Sequence, residues 1–153
     1  MTVSQQIAKL SRDAYVGENW TDVSLQQTLA GITWQQAVTP IYSLNTIAAL
    51  VYHINYFVTA VTKVLEGGPL DASDKFSFDL PPIQSQEDWD RLVAGVSQDI
   101  EKFAALTGQL ADSMLEKTFV DEKYGNYYRN LHGVIEHLYY HMGQIVLLKK
   151  ILA

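Results

Sequence analysis

A chain of 153 residues, 48% of them apolar, is long enough for one domain with a packed core and too apolar to stay disordered. Seventeen acidic and 11 basic residues give a net charge of −6 with the histidines neutral, and no basic run or arm offsets it. Such a surface repels phosphate backbones, so no nucleic-acid partner is expected. There is no cysteine, which excludes disulfides and thiolate zinc sites and leaves histidine and carboxylate as the main metal ligands.

The cysteine-free composition fits a reducing cytoplasm, and Met1–Gln6 lacks the basic and apolar regions of a signal peptide, so a cytoplasmic protein is expected. The most apolar stretch, Ile47 to Val64, is interrupted by Tyr52, His53, Asn55 and Lys63. It reads as a buried helix rather than a membrane span, and no membrane partner is expected.

Val3, Ile7, Leu10 and Ala14 recur at three and four, the period of an amphipathic first helix, and Gly17 stands where a C′ residue would end it. Trp20, in the turn that follows, is expected to plug one end of the core. Ser24 caps a short helix through Ala30 and Thr33 a second through Val38, with Pro40 closing the region. Asn45 or Ser43 caps a long helix running to about Glu66. Its apolar stripe centres near Leu50, Ile54 and Val61, and His53 lies roughly 90° from that centre, on the flank. Gly67-Gly68-Pro69 ends this helix.

Residues 67–85 form a long connection in which Phe76 and Phe78 alternate with polar neighbours, as in a segment laid extended across a helical body. At roughly 3.3 Å per residue it can run back along a whole helix, so the helices it joins can be parallel. Ser85 with Asp88 resembles a capping box, with Asp in place of Glu or Gln. Trp89, Leu92, Val93, Val96, Ile100, Phe103, Thr107 and Leu110 mark the next long helix. A short segment, Asp112 to Lys117, and a polar turn, Asp121 to Gly125, lead to Asn126, which caps the last helix. Leu131, Val134, Ile135, Leu138, Met142, Ile145, Val146 and Leu152 form its core stripe. Four long helices with one crossover predict an all-α four-helix bundle spanning 1–153 as a single domain.

His137 and His141 are four apart, so on a helix their Cβ atoms lie one turn apart on one face, roughly 5–6 Å from each other. Both can reach one ion. With His53 from the other flank they would make a three-histidine site with an open coordination position for water or substrate. The plainer reading is three surface or satisfied core histidines. His132 cannot join the pair, being roughly 140° from His137 around the helix. Leu138 follows His137 where a zinc protease needs Glu, and Tyr139 stands three residues after Glu136 where a di-iron carboxylate motif needs His. No Gly-rich phosphate loop or nucleophile elbow is present. Asn130 and Gln144 fall near the histidine face, where either orients a ligand or is simply solvated. Tyr124, Tyr127, Tyr128, Tyr139 and Tyr140 cluster around the last helix, as core packing, a pocket lining or a homodimer interface.

In order and spacing, Gly17-x-x-Trp20, Asn45-Thr46-Ile47 leading to His53, Gly67-Gly68 and His137-x-x-x-His141-x-x-Gln144-Ile145 resemble the DinB-like (YfiT-like) superfamily of helix bundles. The resemblance covers nearly the whole chain. It implies an up-down-down-up bundle and a metal held by His53, His137 and His141. Its similarity to bacillithiol and mycothiol S-transferases implies transfer of a low-molecular-weight thiol to an electrophile. The resulting expectation is a metal-dependent S-transferase-like enzyme or a hydrolase acting on a small molecule. The alternative is a non-catalytic metal-binding or dimeric stress-response protein. Imidazole ligands suit zinc or nickel first, and iron or copper after them. No general base is identified.

Overall fold

The computed structural model describes residues 1–153 and is all-helical, with six α-helices and no strand. They are α1 (Val3–Tyr15), α2 (Leu25–Leu29), α3 (Trp34–Val38), α4 (Ile47–Leu65), α5 (Gln86–Gln109) and α6 (Tyr127–Leu152).

Local chemistry sets most helix ends. Thr2, Ser24 and Thr33 each stand three residues before a glutamine, and each pair closes a full capping box that satisfies two otherwise orphan backbone donors. Asn126 caps α6 through Arg129 N–H. At α4 the cap is Thr46, one residue beyond Asn45, because the helix begins at the fully buried Ile47. Ser85 caps α5, but the Asp88 carboxylate accepts from Gln84 N–H instead of closing the box on Ser85. The α4 terminus is a Schellman motif: Gly67 adopts φ 88°, Gly68 N–H donates to the Lys63 carbonyl and Gly67 N–H to that of Val64. Gly17 follows α1 for a different reason than expected. Its φ is not left-handed; a Cβ there would lie 2.8 Å from the Asp13 Cα, so it is the close approach that demands glycine.

Trp20 does not plug the core. It is 102% exposed, because the Asn19 side chain donates to the carbonyls of Asp13 and Val23 and folds the turn so that Trp20 points outward. Trp89 fills the interior instead, 2% exposed, with its indole N–H donating to the Ile32 carbonyl at 3.0 Å.

The four long helices pack α1 on α5, α5 on α4, α4 on α6 and α6 on α1. Val3 and Ser4 donate to Asp112 just past α5, Ala8 faces Gly108, and Arg12 pairs with Glu101, so contacts descend α5 as α1 ascends. Asn55 meets Asp99 and Glu66 meets Lys102, so α4 and α5 rise together. Leu50 shares a groove with Leu148, His53 meets His137 and His141, and Val61 faces Gly133, so α6 runs counter to α4. Lys149 on α6 donates to the last carbonyls of α2, Thr28 and Ala30, tying the small helices to the body. Helix α4 is the one helix long and apolar enough to cross a membrane, and 61% of its most apolar window is buried within the fold.

The crossover from α4 to α5 is not simply extended. Tyr56 on α4 accepts Ser73 N–H, a 3-10 turn follows at Asp74–Phe76, and Ser77 is then buried against α4. That course carries the Ser77 carbonyl and the Phe78 ring onto His53.

Candidate metal centre

His53 projects from the flank of α4, and His137 and His141 from one face of α6, where the two helices pack. One ligand nitrogen from each lies within 4.8 Å of the others, so the group could hold a metal ion. His53 and His141 are each 8% exposed. No carboxylate belongs to the group. His132 stands apart, against the Tyr128 ring.

Two of the three imidazoles are oriented through their second nitrogen. His53 Nδ1 donates to the Ser77 carbonyl at 3.3 Å, and His141 Nδ1 donates to the Gln144 amide oxygen at 2.7 Å. With the proton on Nδ1, each presents the lone pair of Nε2, which is how a carbonyl or amide partner prepares a metal-ligating histidine. The His53 ring is further held by Phe78, stacked at 3.9 Å between centroids and 5° between planes, and by the edge of Phe57. His137 Nε2 lies 3.0 Å from His53 Nε2. Since His53 Nε2 carries the lone pair, His137 donates the proton between them.

The electrostatics favour neutral rings. Burial, then the neighbouring His141 and His53, push His137 down to about 4. Burial and then His141 also lower His53, against the Ser77 hydrogen bond and Asp74, which raise it. Imidazole binds metal only when neutral, so at pH 7 these two histidines need not lose a charge to serve as ligands. Donor type and spacing fit a divalent ion, as do the tautomers of His53 and His141, while His137 would ligate once its proton stands on Nδ1.

A cleft of about 520 Å³ reaches this group from one side, where His53 and His137 form part of its wall. Phe57, Val61 and Val134 supply an apolar side, and Asp74, Lys123 and Arg129 bring charge. Of the two polar residues placed near the histidine face by spacing, Gln144 orients His141. Asn130 instead donates to the Tyr124 and Asn126 carbonyls. The Ser77 carbonyl and Phe78 carry no sequence signal for their roles, since the crossover's path brings them there. The charged cleft residues lie on irregular segments or the first turn of α6, where no periodicity marks them.

Comparison of the chain with protein-family models, with curated proteins and with solved structures found no match.

Proposed function

We propose that this chain is a metal-dependent enzyme built on an up-down-down-up four-helix bundle of the DinB-like kind, with His53, His137 and His141 as its metal ligands. The closed circuit of α1, α5, α4 and α6 supports the bundle. Its directions are supported by the ascending α4–α5 pairs and the descending α1–α5 and α4–α6 pairs. The observation that carries the functional reading is the convergence of three imidazoles of which two are anchored at Nδ1.

Zinc or nickel is the metal of first choice for three imidazoles. A divalent ion bound there supplies Lewis acidity, which lowers the pKa of a thiol or water at an open position. The protein's own part is positional. Ser77 and Gln144 hold protons on the far nitrogens of His53 and His141, and Phe78 covers one face of His53. The cleft admits a small molecule beside His53 and His137. The reaction proposed is transfer of a low-molecular-weight thiol to an electrophile, with hydrolysis as the other chemistry such a centre performs.

One observation favours a second reading, a non-catalytic metal-binding or dimeric stress-response protein. Tyr140, Leu147 and Ile151 leave exposed apolar side chains on α6, a surface suited to a second copy.

The test is metal content of the purified protein, before and after reconstitution with zinc or nickel, beside His53→Ala and His137→Ala. One ion per wild-type chain, lost in both variants, is the expected result. Wild-type protein that takes up no metal would sink the site. Stoichiometric metal without turnover on a panel of thiols, electrophiles and esters would select the second reading.

A further inference from the structure

The cleft beside the histidines carries two basic residues and one acidic one. The chain is acidic overall and has 11 basic residues, yet two of them, Lys123 and Arg129, lie among the 11 residues that line the cleft. Both are held on one frame. Lys123 sits in the turn before α6, whose Tyr124 carbonyl is bound by Asn130 of the first turns of α6. Arg129 lies along α6 beside Gly133, where a Cβ would come 3.4 Å from its Nη1.

Both cations keep hydrogen-bond donors that the protein does not use. Lys123 Nζ rests 4.9 Å over the Tyr124 ring and is in none of the molecule's ion pairs. Arg129 gives its Nη1 to Glu136 at 3.0 Å, which leaves the other guanidinium donors of its planar fork free. The single acid of the cleft, Asp74, comes from the crossover and acts electrostatically on His53. The cleft thus takes its positive groups from α6 and the turn before it, and its negative one from the crossover.

Resting on the metal-centre reading for what happens at its inner end, we propose that the cleft binds a small organic anion with an apolar body. A carboxylate or phosphonate head sits on Lys123 and Arg129, and the body lies against Phe57, Val61 and Val134. Asp74 repels the head from the histidine end, so the uncharged end of the molecule faces His53 and His137. A volume of about 520 Å³ suits such a ligand.

The experiment uses phenylphosphonate and its neutral counterpart benzamide, titrated into the full chain without metal and again with zinc, and followed by amide chemical shifts. Phenylphosphonate is expected to bind the metal-free chain about fivefold more tightly than benzamide, perturbing residues 123–134. Lys123→Gln with Arg129→Gln should remove that preference and leave benzamide binding unchanged, while Asp74→Asn strengthens phenylphosphonate binding. The exposed Lys123→Gln alone, expected to lose about half the preference, carries the test if the double variant does not fold. Equal affinity for the two probes, or a preference that survives the loss of both cations, overturns the proposal. Zinc content separates the two readings: zinc bound without anion preference sinks only this inference, and anion preference without zinc uptake sinks only the metal centre.

Discussion

His141 and Gln144 lie one turn apart on α6, and the histidine Nδ1 stands 2.7 Å from the glutamine amide oxygen. An amide oxygen can only accept, so this contact holds the His141 proton on Nδ1 and leaves the Nε2 lone pair facing the group, where it could bind an ion. Gln144→Met keeps the volume and removes the acceptor. Loss of such a partner typically costs about 10–100-fold in metal affinity. Competition with a chromophoric chelator should show that loss in Gln144→Met with one ion per chain retained at saturation. Wild-type affinity in the variant would make the glutamine a bystander.

Metal binding should also be visible as stability. An ion bound to the folded chain alone adds about 2.7 kcal/mol when present at 100 times its Kd. For a domain of this size that corresponds to a rise of roughly 5–10 °C in Tm. Zinc should give the wild-type protein such a rise, a chelator should reverse it, and His53→Ala and His137→Ala should show none. A zinc-dependent rise that survives in both variants would place the ion elsewhere.

The convergence of the three histidines was legible in the sequence for a definite reason. A spacing of four places His137 and His141 on one face of any regular helix, and His53 stood on the flank of an apolar stripe whose period was unambiguous. Gln144 was legible on the same ground. What escaped depends on the path of irregular chain. Nothing in a hydropathy pattern tells that residues 74–78 turn so as to set a carbonyl and a phenyl ring on His53. Nor does it tell that Trp20 points outward, since the ring is large and apolar and its direction is set by the side-chain bonds of Asn19. The α4 cap was placed one residue or more too early because Ser43, Asn45 and Thr46 are all competent caps, and burial of Ile47 decides among them.

The protonation of His137 gives a pH dependence with a definite sign. In the unfolded chain a histidine titrates near 6.5; in the folded chain His137 is pushed down to about 4, chiefly by burial. Between these values the unfolded state binds more protons, so stability of the metal-free protein falls as pH drops from about 6.5 toward about 4. Above that window this group has no effect. His53, lowered in the same direction, adds to the slope. Urea midpoints measured without metal across pH 4–7.5 should show the decline, and His137→Gln should flatten it. A wild-type midpoint that rises on acidification over this range would contradict the neutral state assigned to the half-buried His137.

The two tryptophans should separate sharply in unfolding experiments. Trp89 is enclosed by the core and its indole N–H serves the carbonyl of the buried Ile32. Trp89→Ala should cost about 3–5 kcal/mol through the cavity left behind. Trp89→Phe retains much of the packing but strands that carbonyl, at a cost of about 1–3 kcal/mol. Trp20 is fully exposed, and its turn is held by Asn19 rather than by its own ring, so Trp20→Ser should stay within about 0.5 kcal/mol of wild type. Urea unfolding gives the three values, and acrylamide should quench the fluorescence removed by Trp20→Ser far more readily than that removed by Trp89→Phe. Equal costs for Trp20→Ser and Trp89→Ala would mean that Trp20 closes the core after all.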